Sequence, residues 1–379
     1  MPPIYLDYNA TTPVDPAVLD AMLPYLKGEY GNPSSSHAYG VRAHAAVEEA
    51  RASLAALLGC SPDEVAFTGC ASESDNLAIK GIAEAYRDRG DHIITSQVEH
   101  PAVLATCRYL ERHGYRVTYL PVDGRGSVNP DDVARAITPR TILITVMYAN
   151  NEVGTVQPIA AIGRVARAHD IPFHTDAAQA VGKIPARVDE LAVDLLTVAG
   201  HKFYAPKGVG ALYVRRGTRL EPLIHGAGHE GGRRAGTENV AHIAGLGEAS
   251  RLAARSLSEA ATRLRALRER LHQGLATHVE GVYLNGHPTE RLPNTLNVSF
   301  AGVDSTTLLA QLPEVAASTG SACHSGRTEP SSVLLAMGVS PDLALGAVRF
   351  SLGRWTTQDE VDRAVQLVAE QVSALRKQG

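Results

Sequence analysis

From about residue 60 to residue 215 the chain alternates short apolar or β-branched runs with amphipathic stretches of helical period, and this alternation restricts the possible folds more than any other feature. The runs are Glu64–Thr68, His92–Ser96, Arg116–Leu120, Thr141–Met147, Ile171–Thr175, Asp194–Val198 and Gly210–Val214. Between them Ser72–Arg87, Pro101–His113 and Pro158–His169 carry the helical period, the last two with proline expected at the first helical position. Strand, helix, strand in repetition predicts an α/β fold with a mostly parallel, doubly wound sheet. In such sheets ligand chemistry collects at the carboxyl ends of the strands.

Beyond residue 240 the texture changes. Val240–Val279 is rich in Ala, Leu and Arg and has no proline, which predicts one or two helices bridging domains. Strands at Gly281–Leu284, Thr295–Ser299 and Val348–Ser351 and helices near Ser305–Leu312, Ser331–Met337 and Gln358–Lys377 then predict a smaller α+β unit.

A length of 379 residues suits two or three domains, or one large domain with a companion, and 44% apolar with 20% charged residues is ordinary for a globular chain. A net charge of −4 gives no reason to expect direct nucleic-acid binding. The N-terminal Met1–Asp7 lacks the basic and apolar regions of a secretory signal, and no apolar run approaches the ~18 residues of a membrane span, so a cytoplasmic protein is expected. Four cysteines, Cys60, Cys70, Cys107 and Cys323, form no C-x-x-C pair and no zinc-spaced cluster, so neither a disulfide framework nor a resident metal is expected. Lysine is nearly as scarce, six among 36 basic residues.

That scarcity singles out Lys202 in Thr197–Gly208 (TVAGHKFYAPKG), directly after an apolar strand. A lysine at the end of a buried strand loses solvation and becomes an amine nucleophile for an aldehyde cofactor, although such a segment also serves as a plain strand-to-strand turn. Upstream, Asp176 ends another strand, where a carboxylate suits a pyridine nitrogen or, equally, a helix N-cap. Phe67–Asn76 runs from a strand through small residues into a helix whose N–H groups, with the Ser72 hydroxyl, would cradle a phosphate; Ser72-x-x-Asp75 is also an ordinary capping box. Finally, Thr319–Pro330 reads as an exposed, mobile Gly/Ser-rich loop in which His324 and Arg327 flank Cys323 and favour its thiolate. Cys60 and Cys107 fall in helical patterns and read as packed thiols, and Cys70 as a small filler of the phosphate turn.

These four pieces, together with Tyr5–Pro13 (YLDYNATTP), Gly31–His37 (GNPSSSH), Glu73–Gly81 (ESDNLAIKG), Glu99-His100, Asn150–Thr155 (NNEVGT), Asp176–Gln179 (DAAQ), Gly200–Lys202 (GHK), Gly320–Cys323 (GSAC) and Arg349–Arg354 (RFSLGR), resemble the cysteine desulfurases of the class V aminotransferase family. The resemblance spans nearly the whole chain and is to the group with the longer cysteine loop. It implies a fold-type I pyridoxal phosphate enzyme. A large cofactor domain over residues 14–252 would carry a mostly parallel seven-stranded sheet, and a small α+β domain from residues 1–13 and 253–379 would carry the cysteine loop. It implies that Lys202 bonds the cofactor aldehyde, Asp176 meets the ring nitrogen, Gln179 meets the ring hydroxyl and His100 stacks on the ring. Ala71, Ser72, His201 and, from a second subunit, Thr237 would hold the phosphate, so a homodimer is implied. Asn151 and Arg349 would receive the carboxylate of L-cysteine, for which arginine offers a bidentate fork. Cys323 would take the sulfur as a persulfide, release alanine and pass the sulfur to an acceptor protein.

Three positions depart from the pattern: Ala199 where a serine is usual, Cys70 where a glycine is usual, and His324 after the cysteine where a threonine is familiar. The first two imply weaker cofactor retention. A selenocysteine lyase, another β-elimination or transamination, and a non-catalytic sulfur-transfer scaffold remain open. So does the acceptor, whether iron–sulfur assembly, tRNA thiolation or DNA phosphorothioation.

Overall fold

The computed structural model describes residues 2–319, 322–324 and 327–377, with the side chains of 322–324 and 327–328 outside that description. All seven expected runs form one sheet, ordered Val65–Thr68, Gly210–Val214, Leu195–Ala199, Phe173–Asp176, Thr141–Thr145, His92–Ser96, Arg116–Leu120. Only Gly210–Val214 runs antiparallel to its two neighbours. Thr141–Thr145 and Leu195–Ala199 are buried along their whole length, as parallel strands covered on both faces must be. Edge strand Arg116–Leu120 is the partly exposed one.

One face of the sheet packs Ile94, Ile144, Phe173 and Val198 against helices that include Ala38–Leu58 and Ile159–Ala168. The other packs Ile93, Leu143 and Leu195 against Leu77, Ile79 and Ile82 of Ala71–Ala85 and Val103 and Leu110 of Pro101–Glu111. Pro101 opens its helix as expected, with His100 as the N-cap. Pro158 is corrected: it is the N-cap of Ile159–Ala168 rather than its first residue, its ψ of 56° lying outside the helical region. Two helices passed over in the sequence, Pro16–Lys27 and Ala38–Leu58, precede the alternating region, the second closed by Gly59 at a left-handed φ of 71°.

Val240–His278 is a single helix of 39 residues. Its first half contributes Ile243, Leu246 and Ala253 to the core of the large sheet. Its second half contributes Leu264, Leu271 and Leu275 to a separate core with Leu296, Phe350, Val361 and Val368. That second core lies on a four-stranded antiparallel sheet ordered Ser318–Thr319, Ala347–Ser351, Thr295–Phe300, Val282–Asn285. Ile4–Tyr5 pairs parallel with Val315–Ala316, so the N-terminal segment threads back beside the C-terminal sheet. It continues across the large sheet, with Thr12 N–H donating to His201 O and Asp15 N–H to Tyr204 O. Among the described residues no helix is long and apolar enough to cross a membrane.

Candidate active site

The carboxyl ends of five parallel or flanking strands converge on one cavity of about 370 Å³. Ala71, Ser72, His100, Asn151, Asp176, Gln179, His201, Lys202 and Arg349, nine positions expected from the sequence, all line it. Thr237 does not; it lines a separate recess with Phe67, Gly69 and Arg234. The backbone of Ala322–His324 pairs antiparallel with Arg327–Glu329, Cys323 opposite Thr328, where a loop was expected. The Cys323 side chain lies outside the described residues.

Lys202 follows the strand Leu195–Ala199 in a single turn of 3-10 helix, and its Nζ donates to the carbonyl oxygens of Asn9 at 2.5 Å and Ala10 at 2.8 Å. Burial, then the Arg349 charge, pushes its amine down to about 8, against the opposing pull of Asp176 and Asp7. Capture of an added aldehyde by the ligand-free protein is therefore expected to quicken roughly tenfold per pH unit below the midpoint, a midpoint lying at about 8. Arg349→Leu removes a like charge and is expected to move that midpoint upward. Stopped-flow absorbance against pH reads both, and an unmoved midpoint would remove Arg349 as a cause.

Asp176 ends its strand with Oδ1 accepting from Ala178 N–H at 2.9 Å, so it caps a turn rather than the helix considered from the sequence. Burial raises its carboxyl, while the Ala178 bond, His100 and Lys202 pull it back toward the anion. Asp75 lines the same cavity; its Oδ1 is buried, has no hydrogen-bond partner among the described residues and lies 3.7 Å from His174 Nε2. Burial pushes His174 down to about 3, so it is a neutral neighbour. Burial and then the Asp176 charge push Asp75 well up, whereas His100 and Lys202 oppose the rise at Asp176. Read as a capping-box residue, Asp75 gave no sequence signal of this place.

The other end of the cavity is the N-terminus of Ala71–Ala85. Cys70 is the N-cap, and no side chain caps the helix, which leaves its first N–H groups available to an anion. The expected Ser72–Asp75 box is absent; Glu73 instead accepts from Gly69 N–H at 2.8 Å and from Arg234 at 2.8 Å. His100 Nδ1 accepts from Ala102 N–H, which puts the proton of the neutral ring on Nε2. Burial lowers the His100 pKa and keeps that ring neutral. A lysine with a depressed amine, a buried carboxylate, a flanking imidazole and an open helix N-terminus fit a phosphorylated pyridine aldehyde.

Arg349 Nη2 donates to Asp7 at 2.8 Å and Nη1 to the Asn151 carbonyl at 3.0 Å, while its buried Nε has no partner among the described residues. Arg349 lines the cavity, and a guanidinium there is a charged donor group for an added acceptor such as a carboxylate. Asn9 was missed as an individual residue, although its motif was noted. Its side chain bonds Asn151, Thr295, Asn294 and Lys183, and its carbonyl bonds Lys202 and Gln179. A polar residue inside an N-terminal segment gives no periodic signal of such a hub.

Cys70 is exposed and lines the cavity, whereas burial pushes Cys60 and Cys107 up to about 12. Iodoacetamide is expected to label Cys70 at least about tenfold faster than Cys107. Pyridoxal phosphate is expected to slow the labelling of Cys70 alone of the two, as peptide mass spectrometry would show. Equal labelling of Cys70 with and without it would place the phosphate elsewhere.

The family model for aminotransferase class-V matches residues 4–364. The chain is 51% identical over 378 residues to a cysteine desulfurase IscS of Anaeromyxobacter dehalogenans, covering 99% of this chain and 94% of that one. The solved structure of a NifS-like protein superposes with a TM-score of 0.93 at 41% identity, covering 98% of this chain and 100% of the other. That of SspA in complex with cysteine superposes with a TM-score of 0.84, also at 41% identity, covering 93% and 99%.

Proposed function

The chain belongs to the aminotransferase class-V family, and on that premise we infer that it is a pyridoxal phosphate-dependent cysteine desulfurase, converting L-cysteine to alanine and handing the sulfur to an acceptor protein. The observation that carries this reading is the convergence of nine expected residues on one cavity around a lysine whose amine is depressed to about 8. Bound there, the cofactor supplies an aldehyde for the substrate amine and an electron-withdrawing ring. Lys202 anchors the cofactor and moves the substrate α-proton. Asp176 would pair with the protonated ring nitrogen, with Asp75 beside it in the cavity lining. Arg349 and Asn151 orient the substrate carboxylate. The helix N-terminus at Ala71 and Ser72, with His201, would hold the phosphate, and His100 would flank the ring. The Cys323 thiolate bonds to the substrate sulfur; the electron pair of the breaking C–S bond stays with the three-carbon product and is protonated to give alanine.

The division into residues 14–252 and residues 1–13 with 253–379 belongs to the same reading, supported by the confinement of the two larger sheets to one unit each. So does a homodimer. Thr237 lines a recess apart from its own cavity, on a loop fastened by Arg51 to Glu230 and by Arg234 to Glu73, which supports its serving a second copy. A thiolate mechanism also suits a reducing, cytoplasmic setting.

The test is stoichiometry. Purified protein given L-cysteine should release one alanine for each sulfur that becomes protein-bound. Pyruvate with free sulfide, or alanine with no bound sulfur, would mark a different lyase.

A further inference from the structure

Behind the cavity sits a lysine for which the chemistry above has no use. Lys183 is buried, 9% exposed, and its Nζ donates to Gln179 Oε1 at 2.6 Å and to Asn9 Oδ1 at 3.1 Å. Both partners are amide oxygens rather than carboxylates. Burial, then the charges of Lys202 and Arg349, push its amine well below the ordinary lysine range. Burying an amine without a counter-ion is unfavourable, and a leucine would fill the space at less cost.

What Lys183 does is visible at Gln179. A glutamine side chain offers one acceptor oxygen and two N–H donors. Here Oε1 is taken by Lys183, and one Nε2 hydrogen goes to the Asn9 carbonyl oxygen at 2.9 Å. The reversed amide would set Oε1 against the Asn9 carbonyl oxygen, a repulsion, and would give up the Lys183 donation to Oε1. Without Lys183, only the Asn9 contact would choose between the orientations. With it, the second Nε2 hydrogen is left over on a residue that lines the cavity.

We propose that Lys183 is a positioning residue that locks the Gln179 amide with its N–H donor, not its oxygen, presented to the cofactor's ring hydroxyl oxygen. This rests on the reading of the cavity as the pyridoxal phosphate site. One turn, from Asp176 to Lys183, would then carry the ring-nitrogen carboxylate, the ring-oxygen donor and the group that aims that donor.

The test compares cofactor retention on dialysis, the position and pH titration of the visible band, and ligand-free melting temperature across a variant set. Lys183→Met is expected to weaken retention roughly three- to tenfold, the range for one lost hydrogen bond, and to shift the visible band. Gln179→Leu should do the same, and the double variant should be no worse than the poorer single, because Lys183 acts through Gln179. Lys183→Gln still donates to Oε1 and should stay within about twofold of the parent. Gln179→Glu, folded around an intact Lys183, presents oxygen to the cavity and should lose at least as much as Lys183→Met; if Lys183→Met fails to fold, Lys183→Leu takes its place in the comparison. Multiplying effects in the double variant, a Lys183→Gln as weak as Lys183→Met, or a Gln179→Glu that holds the cofactor normally would each overturn the proposal. Failure of the parent protein to load any cofactor would instead overturn the assignment of the cavity.

Discussion

Lys202→Ala protein is expected to bind pyridoxal phosphate reversibly and to release alanine from cysteine on the order of 10⁴-fold more slowly than the parent. Two functions are lost together, the covalent anchor and the group that moves the α-proton, so the loss sits at or beyond the upper end for a single acid–base group. Lys202→Arg is expected to rescue nothing, because a guanidinium stays protonated and cannot supply a free amine at neutral pH. Stability should move the other way. The amine is half-buried with a pKa depressed to about 8, so part of its charge is held against the cost of desolvation. Lys202→Ala removes that cost along with two hydrogen bonds to the carbonyls of Asn9 and Ala10. Its ligand-free form should therefore melt no lower than the parent, the pattern of a side chain kept for chemistry. Alanine release in a single turnover and a melting curve decide both points. Retention of even about 1% of turnover would move the catalytic role to another group.

Much of this site could be read from residue order because its parts stand where strands stop. Asp176 is the last residue of its strand, Lys202 comes three residues after another, and Ala71 and His100 each follow one within a few positions. In a doubly wound sheet those places converge whatever the loops do. What stayed hidden is long-range. Asn9 is joined to Lys202, Lys183 and Thr295, partners 174 to 286 residues away in the chain, and no local pattern encodes such a meeting. Asp75 was misread for a related reason: helix periodicity says which residues share a face, not that this face abuts another carboxylate. Pro158 and the two N-terminal helices mark the ordinary limits of punctuation signals, since proline begins helices from more than one position and Ala38–Leu58 has a weakly segregated apolar face.

Cys323→Ser is expected to abolish protein-bound sulfur while leaving the cofactor site intact. A serine hydroxyl does not ionise near neutral pH and is a far poorer nucleophile toward sulfur, so sulfur transfer should fall by at least about 10³-fold. Added cysteine should still perturb the visible band, because Arg349, Asn151 and Lys202 remain to bind it. The alternative acceptor is Cys70, which lines the cavity and is the only exposed cysteine among the described residues. Its place is against it: as N-cap of Ala71–Ala85 it stands at the helix terminus assigned to the phosphate, where the bound cofactor covers it. Cys60 and Cys107, pushed up to about 12, have almost no thiolate to offer at neutral pH. The comparison is therefore between two single variants. With ³⁵S-labelled cysteine and peptide mapping, Cys70→Ser should carry label at the parent level and Cys323→Ser none. Label persisting in Cys323→Ser, or lost in Cys70→Ser, would place the acceptor thiol at the cradle and make the Cys323 segment a delivery element for something other than sulfur.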